Sequence, residues 1–354
     1  MALTQCLRRN AQQLGGQTAT IDGDRRQTWS EMQDRVARLA AGIRALDVKT
    51  GDRIAILAGN SDRYLEFCFA TWWAGAVLVP MNIRWSAQEN AYSLRDSGAE
   101  ILFVDDNFTH LAPDILAQET PIRQTVHMGD GDAPAGMLHY EGLITENDPA
   151  PDAETGSNDL AGIFYTGGTT GFPKGVMQTQ RAIWSSGMSL AFLMGLGNQT
   201  VYLHAAPMFH MADFCGSMAS IVASATHVFI NAFDPTELIR VVNDTGVTFS
   251  ILVPTMIKGV VETLEADPSL NMDSLRHVLF GAAPMPAALL ERTVKVLPDV
   301  EWSQGYGQTE LAPLITVQGP EYVTLTGPNA AKLHSAGQAG PCVEIYIADD
   351  DGNE

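Results

Sequence analysis

The chain has 354 residues, of which 45% are hydrophobic, so it is long enough to bury more than one core and is neither disordered nor fibrous. It carries 41 acidic and 21 basic side chains, a formal charge of -20, which excludes a generally cationic surface for nucleic acid or for an anionic membrane. An anionic substrate must therefore be bound by a few locally placed cations and backbone amides.

The cysteines and the apolar segments indicate a protein without disulfides or membrane spans. The cysteines are far apart and show no CxxC spacing: Cys6, Cys68, Cys215 and Cys342. The N-terminus shows no signal-peptide pattern, so we expect reduced thiols and a cytoplasmic location. The apolar stretch 67–81 is interrupted by Gly75 and is shorter than the roughly 20 residues that cross a bilayer. A buried helix followed by a buried strand is expected there.

The first half of the chain alternates predicted helices and strands. Residues 30–46 place apolar side chains on one helical face, with Ser30 and Gln33 spaced as a capping box. Three segments continue the alternation: a strand at 54–58, a helix containing Phe67 and a strand at 76–80. Residues 129–159 are rich in Gly, Pro and acidic side chains and are predicted to form a loop or a subdomain boundary.

The second half repeats the alternation. Strands are predicted at 163–166, 201–205, 248–253, 277–280 and 300–304. Helices are predicted after Thr179, from an N-terminus made by Asp234, Pro235 and Glu237, and at 286–296. This alternation is typical of parallel sheets. We predict an α/β fold with two doubly wound, mostly parallel sheets flanked by helices, followed by the start of a small β subdomain.

The predicted domain organisation has three parts. Residues 1–158 form a first α/β subdomain that ends in the acidic Gly/Pro-rich boundary loop. Residues 159–320 form a second α/β subdomain that contains a phosphate loop, and residues 321–354 begin a β-rich subdomain.

Four Gly-rich or polar motifs directly follow predicted strands. They are 166–174 (TGGTTGFPK), 207–212 (PMFHMA), 281–284 (GAAP) and 305–310 (GYGQTE). Ligands of open parallel sheets gather outside the carboxyl ends of the strands. We therefore expect the four motifs to line one crevice.

The first motif has the composition of a phosphate-binding loop. Three glycines can adopt positive φ and let backbone amides approach an anion: Gly167, Gly168 and Gly171. Three threonines add hydroxyl donors: Thr166, Thr169 and Thr170. Lys174 supplies a point charge. The loop lacks the Gly-Lys-Ser/Thr triplet of a Walker A motif, and composition alone leaves a flexible Gly/Thr turn as the alternative.

The motifs together are similar to those of a known superfamily. YTGGTTGFPKGV at 165–176 resembles the phosphate-loop signature of the adenylate-forming enzymes, which comprise acyl-CoA synthetases, nonribosomal adenylation domains and beetle luciferases. Four further motifs agree in order and spacing: GAVLVPMN at 75–82, PMFH at 207–210, GAAP at 281–284 and QGYGQTE at 304–310. The resemblance covers essentially the whole chain and is strongest to the large N-terminal domain of an acyl-CoA synthetase.

This resemblance implies roles for individual residues. Residues 166–174 would hold the β and γ phosphates of ATP, with Lys174 catalytic. Seven residues would flank the adenine: Gly281, Ala282, Ala283, Gln304, Gly305, Tyr306 and Gly307. Tyr306 would stack on the base, Thr309 would reach the α phosphate, and Glu310 would bind Mg²⁺. Taken alone, Tyr306 and Glu310 are as readily a core tyrosine and a solvated acid.

The resemblance also bears on the acyl side of the site. His210 resembles the catalytic family residue that lies between nucleotide and acyl pocket and changes position between the two half-reactions, whereas a lone histidine in this context is by itself more often a packed one. Asp213 is predicted to be structural or a cap. The acyl pocket is expected near Trp184, His210, Val253 and Gly281, with an apolar lining.

The implied function is that of an AMP-forming acid:CoA ligase, which activates an aliphatic, fatty acid-like or aryl carboxylate with ATP and transfers it to coenzyme A. A carboxylate is ionised at neutral pH, so the chemistry needs no general base. Two alternatives remain: another adenylate-forming domain that activates an amino or aryl acid, and a non-catalytic nucleotide-binding fragment. Homodimers are common in the superfamily.

Two departures from the family pattern lead to an expectation about activity. Gly168 stands where the family usually has Ser, which removes one hydroxyl contact to phosphate. The sequence ends at Glu354, before the family's Thr-Gly-Asp motif and the mobile domain that carries the adenylation lysine. We expect weak nucleotide binding and very poor adenylation by this chain alone, and substantial acid-dependent ATP–pyrophosphate exchange would contradict that expectation.

Overall fold

The computed structural model describes residues 2–167 and 171–354. Its helices are α1 Thr4–Leu14, α2 Trp29–Ala45, α3 Asp62–Ala74, α4 Ala87–Ser97, α5 Ala112–Leu116, α6 Tyr140–Thr145, α7 Gln180–Leu193, α8 Met211–Val222, α9 Pro235–Thr245, α10 Pro254–Ala266 and α11 Ala287–Val296. Its strands are β1 Thr18–Asp22, β2 Arg25–Thr28, β3 Arg53–Leu57, β4 Val77–Pro80, β5 Ile101–Val104, β6 Gln124–His127, β7 Met137–His139, β8 Leu160–Thr166, β9 Lys174–Thr179, β10 Val201–His204, β11 Thr226–Phe229, β12 Phe249–Leu252, β13 His277–Gly281, β14 Glu301–Gly307, β15 Leu314–Gln318 and β16 Gln338–Ala339.

The strands form two sheets. The first sheet has the order β7-β6-β5-β3-β4-β8-β9, and the second has the order β16-β15-β14-β13-β12-β10-β11-β1-β2. Neighbouring strands inside both sheets are parallel. The described antiparallel pairs lie at the edges: β8–β9, β1–β2, β14–β15 and β15–β16. The prediction of two mostly parallel sheets flanked by helices is confirmed.

The two sheets do not follow the division of the chain at residue 158. Strands β1 and β2 come from the N-terminus but pair in the second sheet, whereas β8 and β9 come after residue 158 and pair in the first. Strand β9 lies between the predicted phosphate loop and the helix that was predicted after Thr179, and it was not predicted from the sequence. The division into 1–158, 159–320 and 321–354 stays a prediction, because strand pairing does not separate the chain at those residues.

Buried apolar side chains form a central layer between the sheets and two outer layers. The central cluster contains Ile56 and Leu78 from the first sheet, Phe249 and Leu279 from the second, and residues of α1, α2, α3, α7 and α8. Helices α9, α10 and α11 cover the outer face of the second sheet. Helices α4 and α5 cover the outer face of the first. Both sheets are therefore covered on both faces, which is typical of parallel sheets.

Two local predictions are confirmed and one is wrong. Asp234 caps α9 by accepting a hydrogen bond from the Glu237 backbone N–H at 2.8 Å, and residues 67–81 form the end of α3 and then β4. The capping box of α2 is formed by Thr28 and Glu31, not by Ser30 and Gln33. An N-cap needs an extended backbone, and Thr28 has it at the end of β2, whereas Ser30 is already helical.

The segment 129–159 is not wholly a loop, because it contains β7 and α6. Both elements are short, which left no helical or strand periodicity to read. Arg35, Arg63 and Glu141 connect this segment to α2 and α3 through ion pairs. Among the described helices, none has the length and apolar character needed to cross a bilayer.

Candidate active site

An apolar cavity of about 100 Å³ lies where parallel strands of the second sheet end. Its lining residues are Leu190, Ala206, Ala212, Cys215, Ile251, Leu252, Val253, Leu279, Phe280, Gly281, Ala282, Gly305, Tyr306, Gly307, Pro313 and Leu314. They come from the carboxyl ends of β10, β12, β13 and β14, from α7 and α8, and from the start of β15. Three of the four sequence motifs thus contribute to one cavity.

Two glycines are required where backbone segments approach each other at the cavity. A Cβ added at Gly281 would overlap the Gly305 carbonyl oxygen on the neighbouring strand. A Cβ added at Gly307 would overlap the carbonyl oxygen of Pro313. These contacts explain why the ends of β13 and β14 carry glycine, since any larger residue would separate the chain segments that form the cavity wall.

Two alanines at the site have left-handed backbone conformations. Ala282 follows β13 with φ of +62°, and Ala312 follows the turn after β14 with φ of +65°. Non-glycine residues rarely adopt this region, which costs an alanine roughly 1 kcal/mol or more. Such strain persists where the surrounding structure demands it, and it occurs frequently at ligand sites.

The segment after β14 forms a tight turn that carries Thr309 and Glu310. The Gln308 backbone N–H donates to the Pro313 carbonyl at 3.0 Å, and residues 309–311 form a short 3-10 helix. The buried Gln178 side chain on β9 donates to the Thr309 carbonyl at 2.5 Å. This bond connects the edge of the first sheet to the turn of the second, so the hairpin that carries the predicted phosphate loop approaches the motif at 304–310.

The described part of the phosphate loop faces solvent. Gly167, Gly171 and Lys174 are exposed, and Thr166 is partly buried and pairs with Lys174 across the β8–β9 hairpin. The predicted phosphate contacts of Gly168, Thr169 and Thr170 lie outside the described residues. Lys174 makes no ion pair with any carboxylate in the described parts of the chain, so its charge is available to an anion.

His210 is the N-cap residue of α8, two residues before Ala212 and five before Cys215, which line the cavity. Its ring packs against Phe209 with centroids 4.2 Å apart. More than a third of the residue is accessible to solvent, yet the surrounding protein and the Arg84 guanidinium lower the pKa of His210 to about 4. The imidazole is therefore neutral at physiological pH, and it can accept or donate a hydrogen bond without adding charge.

Asp213 is a structural residue, as predicted from the sequence. Its carboxylate is fully buried and accepts hydrogen bonds from the Tyr202 hydroxyl at 2.7 Å and from His204 Nδ1 at 2.8 Å. The other His204 nitrogen contacts His227 Nδ1 at 2.9 Å. Burial, followed by the Asp213 carboxylate, raises the pKa of Tyr202. This network fixes α8 on the second sheet and does not line the cavity.

Glu310, the predicted magnesium ligand, has a side chain that is not committed to another described residue. It is exposed on the turn, and its side chain makes no hydrogen bond or ion pair with another described residue. Groups of three or more Asp, Glu, His or Cys side chains suited to a metal are absent from residues 2–167 and 171–354. A single carboxylate is enough where phosphate oxygens and water complete the octahedron of Mg²⁺.

The remaining predicted residues divide between the cavity and its surroundings. Val253 and Gly281 line the cavity. Trp184 and His210 are not among its lining residues, and Trp184 packs against the central cluster instead. Gln304 is partly buried on β14, and Ala283 is exposed after β13. The lining residues Leu190, Cys215, Ile251, Leu279 and Leu314 were not predicted, because apolar residues on these elements have the same pattern whether they face a core or a pocket.

A larger cleft of about 760 Å³ lies elsewhere, around Arg25, Arg35 and Arg63. Each of these arginines is bound to carboxylates: Arg25 to Asp22 and Asp62, Arg35 to Glu66 and Glu141, and Arg63 to Asp130 and Glu141. The charges of these three arginines are therefore already balanced by carboxylates.

Comparison with known proteins assigns the chain to a family. The AMP-binding enzyme family matches residues 7–354. A long-chain-fatty-acid–CoA ligase from Thermus thermophilus is 33% identical over 334 residues, which are 92% of this chain and 60% of that protein. A feruloyl-CoA synthase from an Amycolatopsis species is 34% identical over 339 residues, which are 95% of this chain and 64% of that protein. The chain thus spans about three fifths of the length of these curated relatives.

A solved structure agrees with the fold. The inhibitor-bound crystal structure of the N-terminal domain of FACL13 from Mycobacterium tuberculosis superposes with a TM-score of 0.88 at 27% identity. The match covers 99% of this chain and 85% of that one. Because the family match extends over nearly the whole sequence and the fold agrees, the chain belongs to the AMP-binding enzyme family, as the resemblance of its motifs predicted.

Proposed function

We propose that the chain is the ATP-binding large part of an AMP-forming acid:CoA ligase that activates an aliphatic or aryl carboxylic acid. The observation that carries the proposal is the apolar cavity that opens between the motifs at 281–284 and 304–307. An apolar cavity directly beside a predicted nucleotide site suits an acid whose carboxylate must reach the α phosphate of ATP.

In this proposal the adenine lies against the ends of β13 and β14. The Tyr306 side chain is 44% exposed at the cavity, so one face of its ring is free to stack on a base. Residues 281–283 and 304–307 would surround the adenine. The close backbone approach at Gly281 and Gly307 holds the ends of β13 and β14 and the following turn together beside the Tyr306 ring.

The phosphates would extend from this point toward the hairpin of the first sheet. Thr309 would reach the α phosphate, and residues 166–174 with Lys174 would bind the β and γ phosphates. The Gln178–Thr309 hydrogen bond supports this arrangement, because it ties the hairpin to the turn. Glu310 would hold Mg²⁺, which supplies positive charge to the triphosphate as it is cleaved.

The reaction must bring together two anions, the carboxylate of the acid and the triphosphate of ATP. The acid is already ionised, so it needs no base before it attacks the α phosphorus. Lys174 would supply positive charge to the triphosphate, and Thr309 and backbone amides would donate hydrogen bonds to it. Together these groups would hold attacking and leaving oxygens in line. Pyrophosphate leaves, and the thiol of coenzyme A then displaces AMP from the acyl adenylate. Neutral His210, at the start of α8, would lie between nucleotide and acyl group.

The composition of the cavity favours a simple carboxylic acid over an amino acid. The lining residues include no Asp or Glu, so a substrate ammonium would find no counter-charge there. Asp213 is committed to Tyr202 and His204 in the core. The relatives named above act on a long-chain fatty acid and on ferulate, which supports both the aliphatic and the aryl alternatives. A cytoplasmic location and a homodimer stay predictions.

The test compares nucleotide binding by two tyrosine variants. AMP is titrated calorimetrically into the protein, into Tyr306→Ala and into Tyr346→Ala, whose side chain is also exposed but lies far along the chain from the motifs. Loss of a stacking face is worth about 1–3 kcal/mol, so Tyr306→Ala should weaken AMP binding on the order of 5- to 150-fold. Tyr346→Ala should bind as the unaltered protein does.

Turnover is measured on the same protein as acid-dependent release of AMP, with and without coenzyme A. The proposal expects any AMP release to require a carboxylic acid. Equal AMP affinity in both tyrosine variants would reject the adenine site. AMP release that does not depend on an added acid would reject the ligase.

A further inference from the structure

One side chain of the β8–β9 hairpin is hydrogen-bonded to the turn that follows β14. Strand β9 lies at the edge of the first sheet, beside β8. The Gln178 side chain extends from this edge strand, yet it is only 4% exposed. Its Nε2 donates to the Thr309 carbonyl at 2.5 Å. Within residues 160–167 and 171–179, this is the one hydrogen bond to the turn 308–313.

Gln178 lies on the same face of β9 as the lysine of the predicted phosphate loop. Side chains alternate along a strand, so Lys174, Val176 and Gln178 share one face, and Met177 lies on the other. Lys174 is exposed at the start of the strand, and Gln178 is buried four residues later, at a distance of roughly 13 Å along an extended chain. The face that carries Lys174 is therefore the face that Gln178 fixes against the turn.

The turn has hydrogen bonds of its own that fix its conformation. The Gln308 N–H donates to the Pro313 carbonyl at 3.0 Å, and the Ala312 N–H donates to the Thr309 carbonyl at 3.3 Å. These bonds lie within the turn, so they define its shape and not its distance from the first sheet. The bond from Gln178 joins the turn to the other sheet, and it is shorter than the bond that the same carbonyl accepts from Ala312.

The contact at the far end of the turn is weaker and comes from a helix. The Leu314 N–H donates to the Ser186 hydroxyl on α7 at 3.4 Å, which is beyond the usual N–H···O range of about 2.7–3.2 Å. This bond holds the start of β15 and not the end of the turn that carries Thr309. The spacing between Thr309 and the hairpin therefore depends mainly on Gln178.

We propose that Gln178 is a positioning residue, whose hydrogen bond to Thr309 holds the turn 308–313 at a fixed spacing from the phosphate-loop hairpin. The inference rests on the proposed function, in which Thr309 reaches the α phosphate and the hairpin binds the β and γ phosphates. A nucleoside monophosphate needs the turn alone, whereas a triphosphate must contact the turn and the hairpin at once. Two contact surfaces reinforce each other only when their spacing matches the ligand. Gln178 thus favours triphosphate binding without touching the nucleotide.

The test compares AMP with α,β-methylene ATP, whose α–β bridge adenylation cannot cleave. Both are titrated calorimetrically at pH 8, with magnesium in excess, into the 354-residue protein and into Gln178→Met, a side chain of similar length without an N–H donor. In the unaltered protein the methylene analogue should bind more tightly than AMP, because it gains the hairpin contacts. In Gln178→Met the analogue should bind about fivefold more weakly or worse, whereas the affinity for AMP should change less than about twofold.

Gln180→Met is the matched control for the loss of a buried glutamine. Gln180 is 1% exposed, and its amide accepts from the Leu3 N–H at 2.9 Å and donates to the Thr155 hydroxyl at 2.9 Å. These partners lie away from the turn. Gln180→Met should lower the melting temperature, because buried hydrogen bonds are lost, and yet leave the ratio of the two nucleotide affinities unchanged.

Two further variants at position 178 separate the hydrogen bond from side-chain packing. Gln178→Leu also lacks a donor and should lower the affinity ratio as Gln178→Met does. Gln178→His carries a ring N–H at a similar distance from the backbone, and an ordinary histidine is neutral at pH 8. Gln178→His should therefore restore most of the ratio. An equal loss in the Met, Leu and His variants would assign the effect to packing and contradict the inference.

The outcomes also separate this inference from the function on which it rests. If the unaltered protein binds both nucleotides and the donor-free variants keep its affinity ratio, Gln178 is not a positioning residue, while the nucleotide site stands. The same conclusion follows if Gln180→Met lowers the ratio as much as Gln178→Met does, or if the analogue binds the unaltered protein no more tightly than AMP. If the unaltered protein binds neither nucleotide, the proposed function fails and the inference fails with it.

Discussion

Replacing Gly307 by Ala tests whether the tight turn after β14 forms the nucleotide site. The backbone of Gly307 is not in the left-handed region, so alanine adds no conformational strain there. The added methyl group would instead overlap the Pro313 carbonyl oxygen, which accepts the Gln308 N–H at 3.0 Å. Relief requires the turn 308–313 to move, and this turn carries Thr309 and Glu310.

The magnitude follows from the kind of contact. Overpacking of this type typically costs 1–3 kcal/mol, and the neighbour here is backbone, which cannot rotate away. Gly305→Ala is the matched control on the same strand. Its added methyl group would meet Leu279 and Leu314 side-chain carbons at 3.4 Å, an ordinary van der Waals distance. We expect Gly307→Ala to lower the melting temperature by roughly 1–4 °C and Gly305→Ala to change it little.

The assay combines thermal unfolding with calorimetric titration of AMP. Gly307→Ala should bind AMP at least tenfold more weakly at a temperature where the variant is folded, because displacement of the turn moves Thr309, the proposed α-phosphate ligand. Gly305→Ala should keep both its stability and its circular dichroism spectrum. A Gly307→Ala protein with unchanged melting temperature and unchanged AMP affinity would refute the reasoning.

Three further predictions concern charged and titratable groups. Asp213→Asn should lower the free energy of unfolding, measured in urea, by about 1–3 kcal/mol, because an amide offers one acceptor oxygen to the two buried donors on Tyr202 and His204. The control Asp244→Asn, at an exposed ion pair, should lower it by less than about 1 kcal/mol. Equal losses in the two variants would contradict this prediction. Burial and the neighbouring Asp62 carboxylate raise the pKa of Asp22 to about 6, above the unfolded value near 3.9. The stability that Asp22 contributes to the folded state is therefore lost as pH rises from 4 to 6. The free energy of unfolding of Asp22→Asn, relative to that of the unaltered protein, should be higher at pH 7 than at pH 4. A difference in unfolding free energy that does not change with pH would contradict this prediction. The His210 ring resonance in NMR should stay constant from pH 8 to about 5, because its pKa is about 4, and a midpoint near 6.5 would show the assignment to be wrong.

Motif spacing predicted that these segments follow the carboxyl ends of strands, because that position depends on local chain direction. The segments at 207–212, 281–284 and 305–310 each follow a strand of the second sheet, and residues of all three line the cavity. The motif at 166–174 also follows a strand, but that strand belongs to the first sheet. Which sheet a strand joins depends on partners far away in sequence, so the alternation of elements could not reveal it.

The cavity wall was harder to predict than its mouth. Gly281 and Gly307 could be identified from the sequence, because two backbone segments can approach each other this closely only where one of them carries glycine. Leu190, Cys215 and Ile251 are ordinary apolar residues, and whether they face a core or a cavity depends on how α7, α8 and β12 pack. Similarly, the capping box at Thr28 depends on where β2 ends, which periodicity alone does not locate.

The most direct test of the nucleotide site is a crystal structure of the protein with AMP bound. The account predicts the adenine ring stacked on Tyr306 at the ends of β13 and β14, with the phosphate near Thr309. AMP bound instead in the cleft around Arg25 and Arg63, with the Tyr306 site empty at saturating AMP, would contradict the central claim.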